Sequence, residues 1–133
     1  MAPSDFTPVA HLALRAMADR AQAIGVQGAA IVAWASLNPA RQWTSHLHIV
    51  GSMTTGTSNL IAIAYSKAAE MADTLIDSGS GIRPPLRGEF GYQGGVIRPL
   101  AGGHILAVFS GATGEQDVDI SLAAFQLFSQ HYR

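Results

Sequence analysis

A chain of 133 residues with 48% hydrophobic and 13% charged side chains can bury one core, and carries about half the charge of an average soluble domain, for which roughly 25% is usual. The formal net charge of -1 gives no electrostatic reason to bind nucleic acid or a membrane surface, and without cysteine there is no disulfide, thiolate metal site or cysteine nucleophile. So few charges coat a monomer poorly, which predicts apolar surface buried between copies, in a dimer or larger homo-oligomer.

The first residues, Met1 to Asp5, lack the basic and apolar regions of a signal peptide, and no apolar run reaches the ~20 residues that span a bilayer. The expectation is one cytoplasmic domain over residues 1–133. Thr7-Pro8 reads as a helix start, with a capping residue before Pro at the first helical position. Val9, Leu12, Ala13, Ala16, Met17 and Ala23 then repeat at helical spacing as far as Gly25. Ala29 to Ala35 is an almost unbroken apolar run, the pattern of a central strand covered on both faces.

Asn38-Pro39 marks a turn. Gln42 to Val50 alternates, with Trp43, Ser45, Leu47 and Ile49 on one face and Thr44, His46, His48 and Val50 on the other. After a polar loop from Gly51 to Ser58, a long helix is predicted from about Asn59 to Asp77, with Leu60, Ala64, Ala68, Met71 and Leu75 as its apolar stripe. Gly79 to Gly95 is an irregular arch with six glycines and the pair Pro84-Pro85, in which short pieces of strand can hide. Val96 to Leu100 and His104 to Phe109 flank Ala101-Gly102-Gly103 as a hairpin. Thr113 opens the last helix, and Gln116 stands at capping-box spacing behind it. Glu115 and Asp117 fall in its first turn, where negative charge suits the helix dipole. Strands joined in two hairpin blocks, with helices between, favour an α+β domain built on an antiparallel sheet.

In this order the chain resembles the GlcG/HbpS family, which includes haem-binding proteins and the C-terminal domains of PduO-type proteins. Four stretches carry the likeness: the Ala-rich first helix leading through Gly25 to Ala30-Ile31-Val32; Ile63-Ala64 with Lys67-Ala68; Gly94-Gly95-Val96-Ile97; and Ser110-Gly111-Ala112-Thr113 with Glu115-Gln116-Asp117. Met53 also precedes Lys67 by the interval the family keeps. The chain departs from the family pattern at Trp34-Ala35-Ser36, at Ser52-Met53-Thr54-Thr55, and in the strand Ile105 to Phe109, where polar and small residues are replaced. The resemblance implies a profilin-like fold, a five-stranded antiparallel sheet with helices packed on its faces, in a homo-oligomer. It also implies a ligand: haem, another tetrapyrrole or a small carboxylate, near the first helix, the long helix and the arch.

Each candidate residue also has a plainer reading. The resemblance puts a haem ligand on the first helix, where His11 stands, and His11 also suits an ordinary interface histidine. His46 and His48 share a strand face about 7 Å apart, and can clamp a metal if a third ligand comes from elsewhere. His11 and His48 are thus the candidate iron ligands, while His104 more simply begins a strand and His131 suits a helix C-terminus. Lys67, the single lysine, can form a Schiff base if buried, or pair with Glu70 on the same helix. Arg83, Arg87 and Arg98 can hold an anion, or brace carbonyl groups of the arch. With Tyr92 and Lys67 they form the candidate ligand-binding set. No Gly-x-Ser-x-Gly elbow or Ser/His/Asp spacing points to an enzyme. The leading expectation is a small oligomeric ligand-binding protein; the alternative is a structural assembly module with no ligand.

Overall fold

The computed structural model describes residues 3–36 and 42–132. The elements in chain order are α1 (Pro3–Ile24), β1 (Gly28–Ser36), β2 (Gln42–Val50), α2 (Leu60–Thr74), β3 (Gly95–Leu100), β4 (Gly103–Ser110) and α3 (Gly114–His131). The turn expected at Asn38-Pro39 lies outside the described residues. The strands form one sheet in the order β2-β1-β4-β3, with antiparallel neighbours throughout.

β1 is central, and its two sets of alternating side chains belong to two cores. Ala30, Val32 and Trp34 point to the layer of α1 and α3, where Phe6, Met17, Phe109, Ile120 and Phe128 are buried. Ala29, Ile31, Ala33 and Ala35 point the other way, onto Leu60, Ala64, Ala68 and Met71 of α2. The sheet therefore stands between α1 and α2. A single site shared by the first helix, the long helix and the arch, as the sequence suggests, is divided by that sheet into two.

The sheet has four strands among the described residues, not the expected five. The arch supplies none, because Gly79, Gly81, Gly88, Gly91 and Gly94 all take positive φ and cannot follow a pleat. It is shaped by side chains instead. Glu70 accepts from the Gly79 N–H at 2.8 Å, and the Ser78 hydroxyl accepts from the Gly95 N–H at 2.9 Å.

Element ends differ from expectation for local reasons. α1 begins at Pro3 and includes Pro8, so Thr7-Pro8 is not its start. Phe6 is fully buried and stacks on Phe128 at 5.9 Å, which draws the residues before Pro8 into the helix; Pro8 gives up one backbone hydrogen bond near the N-terminus. α2 is capped by Asn59, whose side chain accepts from the Ala62 N–H at 3.1 Å. It stops at Thr74, with Leu75 left-handed at φ 59° and exposed rather than on the apolar stripe. Asp77 is thereby freed to accept from the Ile97 N–H at 3.0 Å and from Arg98 at 2.7 Å, tying the exit of α2 to β3. The β3–β4 turn has two residues, Ala101 and Gly102 at φ 57° and 76°, the pattern of a type I′ hairpin. The capping box of α3 is formed in full by Thr113 and Gln116.

Candidate functional site

Lys67 projects from α2 and Asp117 from the first turn of α3, and they meet beyond the end of β4. The Lys67 Nζ donates to Asp117 Oδ2 at 3.0 Å and to the Phe109 carbonyl at 2.9 Å. Both side chains are almost fully buried, at 2% and 4% exposed. Asp117 Oδ1 also accepts from the Ala112 N–H at 3.0 Å. Gly94 permits this approach, because a Cβ at its φ of 133° would press on the Lys67 Nζ. Burial pulls the Lys67 ammonium below the usual lysine range against the pull of Asp117, and pushes the Asp117 carboxyl up to about 6 against the pull of Lys67.

The pair lies at the wall of an open cavity of about 460 Å³, lined also by Leu60 and Ile63 of α2, Tyr92 of the arch and Ser110 at the end of β4. Of the expected ligand-binding set, Lys67 and Tyr92 are brought together here. The expected Lys67–Glu70 pair is not formed: Lys67 turns inward to Asp117, while Glu70 holds the arch.

The arginines stand elsewhere. Arg83 is engaged by Glu89 at 2.7 Å and Asp73 at 2.8 Å; the Arg83 guanidinium, with the Leu86 N–H, holds the Glu89 carboxyl down to about 2. Arg98 pairs with Asp77 and lies 6.0 Å from the Phe125 ring centre. Arg87 is exposed on the arch. They brace the fold rather than line the Lys67 cavity.

A second concavity, of about 540 Å³, lies on the opposite side between α1 and the edge strand β2. His11, Leu14, Arg15 and Ala18 recur at i, i+3, i+4 and i+7, so α1 presents them on one face. His46 and His48 face them from β2. The His11 and His46 rings meet edge to face at 5.4 Å, and the Thr7 hydroxyl lies 3.3 Å from His46 Nε2. Partial burial, and then His11, lower the affinity of His46 for a proton, which favours an uncharged ring at neutral pH. Among the described residues, no three His, Asp or Glu side chains converge to hold a metal ion. The paired rings are thus His11 and His46, with His48 beside them on the strand.

Asp117 is the residue that reading the sequence placed only at a helix start. The available signal was Lys67 itself, which falls on the buried face of α2 with Ala64, Ala68 and Met71 and therefore needs an acceptor inside.

No family model matches the chain, and no curated protein matches it in sequence. Solved structures share its fold. The PduOC:heme complex is 20% identical, with 88% of this chain and 89% of that one aligned at a TM-score of 0.64. The Klebsiella pneumoniae protein ORFY, of family DUF336, is 15% identical over 92% of this chain and 88% of its own, also at 0.64. The α+β fold expected from the GlcG/HbpS resemblance is thus found across nearly the whole length. Among the described residues, no helix is long and apolar enough to cross a membrane.

Proposed function

We propose that this protein is a small, self-associating haem-binding protein of the GlcG/HbpS type, and that haem sits in the groove between α1 and β2. The observation that carries the reading is the donor set there. Three imidazoles open on one concavity, yet no three-ligand metal cluster exists among the described residues. A bare metal ion needs several protein ligands, whereas haem brings its own nitrogens and is satisfied by one or two imidazoles.

His11 is the proposed iron ligand, being exposed on the open side of the groove, with His48 as the second candidate on β2. His46, held by the Thr7 contact and the His11 ring, orients His11. Leu14 and Ala18 offer apolar wall, and Arg15, with no ion pair among the described residues, suits a propionate. Bound there by His11, haem would supply an iron centre whose chemistry is tuned by the imidazole that holds it and by the polarity of the groove. The haem complex of a structure with the same fold supports the reading.

Titration of the purified protein with haemin tests it. The expected result is a saturable Soret shift in the wild type that weakens in His11→Ala. An unchanged spectrum in the wild type refutes haem binding, and an undiminished shift in His11→Ala refutes the assignment of the ligand.

Self-association is supported by the arch, where Ile82, Leu86, Phe90 and Tyr92 are more than half exposed, at 63%, 54%, 52% and 52%.

A further inference from the structure

The cavity beside Lys67 and Asp117 takes no part in the haem reading and lies on the other side of the sheet. Lys67 and Asp117, almost fully buried, border an open cavity of about 460 Å³. An ammonium group has three hydrogens to donate. Two go to Asp117 and Phe109, and the third has no acceptor among the described residues. Ser110 lines the same cavity, is 3% exposed, and its hydroxyl makes no hydrogen bond among the described residues. The Lys67 ammonium and the Ser110 hydroxyl thus both keep bonding capacity that a molecule in the cavity can meet.

We propose that this cavity binds a small aldehyde or ketone, and that Lys67 captures it as a Schiff base with Asp117 as the proton carrier. Lys67 passes one proton to Asp117 across their 3.0 Å contact. The neutral Nζ attacks the carbonyl carbon; the new C–N bond forms as the C=O π bond breaks, and the oxygen takes the proton from Asp117. Asp117 is thereby a carboxylate again, and it accepts the second Nζ proton. The nitrogen lone pair then forms C=N as the hydroxyl leaves, taking that proton from Asp117 to depart as water. The iminium remains, its nitrogen still carrying the third Nζ proton, beside an Asp117 that is again a carboxylate. In sum, one carbonyl compound and one ammonium give one iminium and one water, with no oxidant, reductant or further reactant.

Ser110 supplies the donor that can hold the carbonyl oxygen, and Leu60 and Ile63 supply apolar wall for a short carbon chain. The burial that draws Lys67 down and Asp117 up moves both partners toward the uncharged forms this step begins from. The remaining titratable group at the cavity wall is Tyr92 of the arch, which is half exposed.

The chain has a single lysine, so trapping gives an unambiguous site. The full-length protein is incubated at neutral pH with butanal and cyanoborohydride, and peptides are mapped by mass spectrometry. The expected result is one butyl group on Lys67, appearing faster than on the N-terminal amine and faster than on Lys67 in urea-unfolded protein. Ser110→Ala, which leaves the Lys67–Asp117 pair intact, should slow trapping on the order of tenfold, the worth of one hydrogen bond to the reacting oxygen. Label confined to the N-terminal amine, or Lys67 label no faster in the folded than in the unfolded protein, overturns the proposal. Haemin affinity is expected to be unaffected by Ser110→Ala, so failure here is distinguishable from failure of the haem reading.

Discussion

Replacing Lys67 with Met tests the bond between the two sides of the sheet. The substitution nearly preserves side-chain length but removes both hydrogen bonds made by Nζ, to Asp117 and to the Phe109 carbonyl. Asp117 is left buried with the Ala112 N–H as its remaining partner. Stripping one partner from a buried ion pair costs about 3–5 kcal/mol, mostly as the penalty on the charge left behind. Against a total stability of roughly 5–15 kcal/mol that is a large fraction, and for a chain of this size it lowers Tm by roughly 10–20 °C. The second change, Asp117→Asn, leaves an oxygen for Ala112 and removes the orphaned charge. Lys67→Met/Asp117→Asn should therefore be more stable than the sum of the single changes by about 2 kcal/mol. Urea unfolding followed by far-UV circular dichroism, at constant m, measures all four corners of the cycle. Additive single changes, or a Lys67→Met cost below about 1 kcal/mol, would refute the view that the pair ties α2 to α3.

Further outcomes follow from the same geometry. Asp117 titrates in the folded chain near 6, above its ordinary 3.8, so between those values the folded state alone holds the proton. Its contribution therefore stabilises the fold as pH falls through that window, and because Asp117→Asn cannot gain it and leaves Lys67 without its carboxylate, the excess in urea midpoint of wild type over Asp117→Asn should widen from pH 7 to pH 4. At the β3–β4 turn, Ala101 sits at φ 57° before Gly102, where Asn is preferred. Ala101→Asn should raise stability by about 0.5–1 kcal/mol, read as a higher urea midpoint with m unchanged. If the arch is the proposed self-association surface, Leu86→Asp should shift the protein toward smaller species in size-exclusion chromatography with light scattering; an unchanged mass would contradict that proposal.

Features set by neighbours in sequence were legible before the structure. Thr113 and Gln116 lie three apart and form their capping box by local geometry alone. The unbroken apolar run in β1 reported correctly that both of its faces are covered. His46 and His48 were placed on one face by the period of a strand, and they share it. What failed was long-range. Glu115 and Asp117 look alike as first-turn acids, yet only Asp117 meets a lysine fifty residues away. His11 could not be assigned to the groove of His46 until α1 was known to pack over the β2 edge. The fifth strand is absent among the described residues because the glycines of the arch take positive φ, and contacts from outside the arch, such as Glu70 accepting from the Gly79 N–H, could not be read from composition.

Ligation by His11 is tested most directly by chemical rescue. His11→Gly removes the imidazole and leaves room for a free one, so the haemin-loaded variant should show a weakened, shifted Soret band that added imidazole restores to the wild-type position. A wild-type band in His11→Gly without imidazole, or no response to imidazole in a variant that still binds haemin, would contradict the account.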